Sequence, residues 1–180
     1  MRIYTRKGDD GTTGLLYGGR VAKDSVAPIA YGDVDEAQAV LGVARAECAR
    51  GSELDELLVS LERDLWVLMA ELATDPANRE KLVAGQSLVT DAMVTALEKT
   101  IDDLTDRFAA PTEFVVPGQT RVAALLDVGR TVVRRAERNT LRAAAPGSFV
   151  VPYLNRLSDL LWTMARWQEG ESLPAKERSS

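Results

Sequence analysis

Apolar residues recur at three- and four-residue intervals over most of the chain. The cleanest stripe is Leu54, Leu57, Leu58, Leu61, Leu65, Leu68, Met69 and Leu72. That period puts all eight on one face of a helix, with Ser52 placed to cap its start and Thr74-Asp75-Pro76 to end it. The same reasoning predicts a helix from Asp33 to about Arg50, where Glu36 lies at capping-box spacing from Asp33 and Gly51 closes the element. A third helix is expected from about Ser87 to Phe108, carrying Met93, Leu97, Ile101, Leu104 and Phe108 on one side. A fourth runs from about Thr120 to Arg142 and is broken by Pro146-Gly147. A fifth runs from about Pro152 to Gln168.

Between these stretches the period fails. Residues 1–28 are rich in Gly, Thr, Asp and basic side chains, Pro76–Gly85 reads as a linker, and Ala109–Gln119 reads as a Pro-bounded loop around Phe114-Val115-Val116. Five helices with short connections predict an all-α, up-and-down bundle. It would form one domain over residues 1–168, with a disordered tail over 169–180. Trp66 and Trp162 fall on helical stripes and read as core or interface.

Composition narrows the chemistry. Histidine is absent, so imidazole bases, Ser-His catalysis and His-ligated zinc are all excluded. The single Cys48 forbids an intrachain disulfide and favours a reducing compartment. No apolar run is long enough to span a bilayer, and Met-Arg-Ile-Tyr-Thr-Arg does not read as a signal peptide; a soluble, cytoplasmic protein is expected. A net charge of −5 argues against nucleic acid as a partner. The basic residues therefore matter where they cluster.

They cluster in Arg130-Thr-Val-Val-Arg-Arg-Ala-Glu-Arg138 and Arg142. Arg130, Arg134, Arg138 and Arg142 repeat every four residues and would form one ridge on a helix. Like charges at that spacing repel by a few tenths of a kcal/mol per pair, a sign that a bound polyanion reverses. Guanidinium forks suit phosphate oxygens. A solvated basic face is the plain alternative.

A second polar segment, Thr5-Arg-Lys-Gly-Asp-Asp-Gly-Thr-Thr-Gly14, offers glycine-exposed backbone N–H groups, hydroxyls and two cations, as a phosphate cradle does. It lacks the Gly-Lys-[Ser/Thr] ending of a Walker A loop, and no strand precedes it as in a dinucleotide fold. On composition a mobile arm fits equally well. Asp33, Asp35 and Glu36 read either as capping carboxylates or as functional ones, and Asn155 lies near the start of the fifth helix.

Taken in order, six segments resemble the PduO-type ATP:cob(I)alamin adenosyltransferases from residue 2 to about 167. They are Tyr4-Thr-Arg-Lys-Gly-Asp-Asp-Gly-Thr-Thr, Gly18-Gly-Arg-Val-Ala-Lys-Asp24, Tyr31-Gly-Asp-Val-Asp-Glu36, Phe114-Val-Val-Pro-Gly118, the arginine segment, and Tyr153-Leu-Asn-Arg-Leu-Ser-Asp159. The resemblance implies a ferritin-like bundle with an ordered N-terminal nucleotide-binding loop, assembled as a homotrimer with each site between two subunits. It implies ATP with Mg²⁺ and reduced cobalamin as reactants, and a reductase and a B12-dependent mutase as possible partners.

By the same resemblance, Thr5, Arg6, Lys7 and Gly8 wrap the nucleotide, with Thr13, Gly14 and Lys23 on its phosphates. Arg134, Arg135, Ala136, Glu137 and Arg138 hold triphosphate and nucleoside, and Asn155 completes the pocket. Arg130 would pair with Asp35 of a neighbouring subunit, and Phe114 would form an apolar wedge against the lower face of the corrinoid. A purely packing role for Phe114, pinning its loop to the bundle, is the competing expectation. No resident metal site is expected. A protein that binds ATP or adenosylcobalamin for delivery, without turnover, is the alternative function. The chain departs from the pattern at Asp10, where lysine is common, at Gln119, where glycine is usual, at Val133, a frequent cysteine, and at Asp127, often a histidine.

Overall fold

The computed structural model describes residues 3–176. Five α-helices form the bundle: α1 (Val26–Ala46), α2 (Glu53–Leu72), α3 (Asp91–Thr105), α4 (Arg121–Thr140) and α5 (Val150–Glu169). α4 packs on both α5 and α1, α1 on α2, and α3 on α5. α4 therefore lies between α1 and α5, and the connection from Ala73 to Thr90 returns to the end of α2, where Val89 N–H donates to Glu71 Oε2 at 2.8 Å, before α3 begins. Part of that connection, expected as a plain linker, is a 3₁₀ turn at Pro76–Lys81 started by Asp75, whose carboxylate accepts from Ala77 N–H.

The leucine stripe of α2 is buried as its period requires, with Leu54, Leu58, Leu61, Leu65, Leu68 and Leu72 all 5% exposed or less. Each such side chain contributes about 2 kcal/mol of apolar transfer. Ser52, Thr90 and Thr120 cap α2, α3 and α4 through side-chain acceptance of backbone N–H groups. Gly129 lets α4 lie against its neighbours, since a Cβ there would meet Leu41 Cδ2 at 3.1 Å and Leu161 Cδ1 at 3.7 Å.

Three expectations need correction. α1 begins at Val26, with Ser25 at its N-cap, so Asp33 and Glu36 lie inside the helix and cap nothing. Pro28 is tolerated because the first turn has no intrahelical partner for its N–H. α4 ends at Thr140, which puts Arg142 in the following turn and shortens the ridge to Arg130, Arg134 and Arg138. Residues expected in a disordered tail instead complete α5 and form a strand: β3 (Val115–Val116) pairs antiparallel with β4 (Leu173–Pro174), and Ala175 N–H donates to the Phe114 carbonyl at 2.7 Å. Residues 1, 2 and 177–180, the rest of that tail among them, lie outside the described residues.

The N-terminal segment forms a hairpin, the strands β1 (Thr12–Gly14) and β2 (Arg20–Ala22) pairing antiparallel. Leu16 N–H donates to Ala73 O at 2.8 Å, docking the hairpin on the end of α2. Glu71, near the same helix end, accepts from Ser148 ahead of α5. The hairpin therefore shares one end of the bundle with the start of α1, the end of α4 and the start of α5.

Candidate active site

The hairpin loop is organised from within. Arg20 donates from Nε to Thr12 Oγ1 at 3.0 Å and from Nη2 to the Lys7 carbonyl, which pins residues 7–12 to the second strand. Asp10 is used up in the same lattice: Thr12 donates to it from its hydroxyl (2.7 Å) and backbone N–H (2.9 Å), holding its carboxyl below the usual carboxylate range. The departure at Asp10 thus acts as a turn residue. Arg6 adopts φ 59°, a left-handed conformation that a non-glycine residue holds only where the surroundings enforce it. Gly8 is a close approach: a Cβ would lie 3.1 Å from Thr12 O and 3.2 Å from Lys23 Nζ. Lys23 thus reaches the backbone of the loop, and Thr5, Arg6 and Lys7 are exposed around it. Thr13 and Gly14 lie in the first strand opposite Val21 and Arg20.

The arginines of α4 divide by their partners. Arg135 turns to α1, where it pairs with Glu36 and lies 3.7 Å from Asp33, while Asn139 donates to Asp33 beside it. Arg134 and Arg138 are exposed, and neither meets a carboxylate among the described residues; Arg138 donates to the Arg134 carbonyl. Glu137 accepts from Asn155 Nδ2 at 3.1 Å, and Arg156 donates to Asn155 Oδ1, which fixes the amide between α4 and α5. Ala136 is buried beneath them.

At the opposite end of α4, a cavity of about 670 Å³ opens between the 111–117 loop, α4 and α5. Phe114, Asp127, Arg130, Trp162 and Arg166 line it. The Phe114 ring is 91% exposed, so it does not pin the loop to the bundle; the β3–β4 pairing does that. Arg130 donates from Nε to Asp127 Oδ1 at 3.0 Å. Arg130 and Arg138 are eight residues apart, about 12 Å of helix rise, so the ridge runs from this cavity toward the hairpin end.

Asp35 is elsewhere. It lies exposed on a groove of about 520 Å³ between α1 and α2 with Arg45, Glu62, Arg63 and Trp66, and it has no ion-pair partner among the described residues. Burial raises the Glu62 carboxyl in that groove, and Trp66 is 67% exposed. Within one chain Asp35 and Arg130 line different cavities and do not meet. Among the described residues no three Asp, Glu or Cys side chains converge to hold a metal.

Sequence reading missed Arg166, which meets Asp127 at the cavity, and Glu169, which meets Arg166 behind it. The available signal was an arginine within the run Leu160–Trp167, whose other positions are apolar or small.

Residues 3–168 match the sequence family described as cobalamin adenosyltransferase. The chain is 40% identical over 171 residues to a corrinoid adenosyltransferase of Citrobacter freundii, covering 93% of this chain and 95% of that protein. It is 42% identical over 170 residues to one of Mycobacterium tuberculosis, covering 92% and 87%. A variant PduO-type ATP:corrinoid adenosyltransferase from Lactobacillus reuteri, solved with cobalamin and ATP, superposes with a TM-score of 0.82 at 30% identity over 93% of this chain and 91% of that one. With sequence and fold matched along almost its whole length, the chain belongs to the cobalamin adenosyltransferase family.

Proposed function

We infer that this protein transfers the 5′-deoxyadenosyl group of ATP to the Co(I) centre of reduced cobalamin, releasing adenosylcobalamin and inorganic triphosphate. The observation that carries the reading is the uncommitted Arg134–Arg138 pair between a glycine-bearing cationic loop and a cavity walled by an exposed aromatic ring. It stands in a chain matched end to end by corrinoid adenosyltransferases.

The reaction breaks the C5′–O bond, sends that electron pair to triphosphate, and forms a cobalt–carbon bond with the pair supplied by Co(I). No proton changes hands at the reacting atoms, so a chain with no histidine loses nothing. What the protein must do is place C5′ and stabilise the charge on the departing polyphosphate. Arg134, Arg138, Lys7 and Lys23 supply that charge. Thr5, Arg6, Gly8, Thr13 and Gly14 enclose the nucleotide, and the Glu137–Asn155 pair gives the nucleoside fixed polar groups. Arg135, tied to Glu36 and Asp33, holds α4 against α1 and so sets the angle of the ridge.

The corrinoid side is assigned to Phe114, Arg130 and Asp35. An apolar ring standing in water is unfavourable by about 2 kcal/mol relative to burial, a loss recovered when the ring excludes water and the axial base from the lower cobalt face. Asp35 and Arg130 would meet between subunits of a homotrimer. Their separation within one chain and the exposed Trp66 beside Asp35 support that arrangement. A reductase delivering the electron and a mutase receiving the product would be transient partners of this face.

Incubating chemically reduced cobalamin and ATP with the protein should produce the absorption of the cobalt–carbon bond at a catalytic rate. Stoichiometric binding of both without that band would instead indicate a delivery protein.

A further inference from the structure

Arg130 is held by something the reading above leaves without a role. Asp127 Oδ1 accepts from Arg130 Nε at 3.0 Å, and Asp127 Oδ2 accepts from Arg166 Nη2. Arg166 is 1% exposed and comes from α5. Its charge is met a second time by Glu169, whose Oε1 accepts from Nη2 at 3.0 Å; Glu169 Oε2 lies 3.0 Å from Nε without hydrogen-bond alignment. The Trp162 ring lies 5.8 Å from the same guanidinium.

The four charges cancel, but they are not equivalent. Arg166 has two carboxylate partners, whereas Arg130 has one among the described residues. Asp127 occupies only the Nε edge of Arg130, which leaves four of its five N–H donors uncommitted in the Phe114 cavity. A long side chain free in solution samples many rotamers, and fixing it beforehand removes that ordering cost from the step that uses it.

We propose that Asp127, anchored by the buried Arg166, is the positioning residue that presents Arg130 to the corrinoid side of the site. Asp127 acts only through Arg130 and touches no reactant. The proposal rests on the assignment of Arg130 to the site.

The test is a double-variant cycle on the full chain, following adenosylation of chemically reduced cobalamin by the parent, Asp127→Asn, Arg130→Ala and the pair together. Asp127→Asn should lower kcat about tenfold, the size expected for one charge-assisted contact. It should leave the KM for ATP within about twofold and the melting temperature within a few degrees, because Arg166 keeps Glu169. In the Arg130→Ala background the same change should cost less than about twofold, since coupled residues are not additive.

Full activity of Asp127→Asn beside an impaired Arg130→Ala would overturn the proposal. So would an equal loss in both backgrounds, or a joint fall in ATP affinity and melting temperature. If Asp127→Asn does not fold, Asp127→Glu keeps the charge for Arg166 while displacing the carboxylate, and it must show the same split; parent-like turnover overturns the proposal. A fully active Arg130→Ala refutes the assignment of Arg130 itself, and the proposal falls with it by a different route.

Discussion

Arg134→Ala should make the protein a worse enzyme and a slightly more stable one. Arg134 is exposed, has no carboxylate partner among the described residues, and stands one turn from both Arg130 and Arg138. Removing its charge relieves two like-charge contacts of a few tenths of a kcal/mol each. Alanine adds about 0.2 kcal/mol of helix propensity over arginine. The folded state then gains roughly 0.5–1 kcal/mol, or about 1–4 °C in melting temperature at low ionic strength. Salt should erase most of that gain, because exposed charges are screened within about 10 Å at 0.1 M.

The loss on the catalytic side is larger. A charge-assisted contact to triphosphate is worth about 1.5–3 kcal/mol, so kcat/KM for ATP should fall roughly ten- to 150-fold. Arg135→Ala is the contrast. It removes the ties to Glu36 and Asp33 and lowers the melting temperature only slightly, because the pairs are solvated. Steady-state kinetics with varied ATP and thermal unfolding at two salt concentrations measure both variants. Arg134→Ala activity within twofold of the parent, or a lower melting temperature for that variant, would refute the division of the ridge into free and tied arginines.

Three further outcomes follow from the same geometry. Phe114→Ala should leave the melting temperature and ATP affinity unchanged and still adenosylate prereduced Co(I), but lose the four-coordinate Co(II) signal in absorption or paramagnetic resonance; survival of that signal at full strength refutes the wedge. Sedimentation equilibrium should show a trimer, and Asp35→Asn should impair cobalamin use more than folding; a monomer at micromolar concentration contradicts a shared site. Burial raises the Asp64 carboxyl, outweighing the hydrogen bond from Tyr153 at 2.9 Å. The folded protein therefore binds a proton that the unfolded chain would release, and stability falls as pH rises from the usual carboxylate value through the raised one. Asp64→Asn should thus raise the melting temperature at pH 7, by an amount that disappears near pH 3; a pH-independent difference refutes the sign.

Local rules made α2 legible, because Ser52 and the leucine stripe act within one helix. They failed at α1. Pro28 and Gly32 suggest a loop there, and only the packing of Ala30, Val34 and Ala37 shows that the helix has already begun. Asp33 and Glu36 looked like caps for the same reason, since their partners Arg135 and Asn139 are a hundred residues away. Leu173–Pro174 carries no strand pattern of its own and becomes a strand only against Val115–Val116. The site followed the same division. The polar N-terminal segment, the ridge and Phe114 were visible in the sequence, but the hairpin was not, and Asp127 and Arg166 are 39 residues apart and acquire meaning only when α4 and α5 close on each other.

A protein with 22 basic and 27 acidic residues binds a polyanion only where its own carboxylates do not reach first. Here Arg45, Arg79, Arg107, Arg121, Arg130, Arg135, Arg156 and Arg166 each lie within 4.0 Å of a carboxylate in the bundle. Those pairs neutralise eight of the 22 cations and so remove them as competing sites for an anion. Arg134 and Arg138, left out of the pairing on one helix face, repel each other in the free protein, so an anion arriving there gains the attraction of both charges and relieves their repulsion. On the proposed reading, selectivity for the nucleotide end of the site would come from where acidic residues are absent as much as from where arginines are present. Adding a carboxylate opposite Arg134 would disable the ridge without touching any arginine.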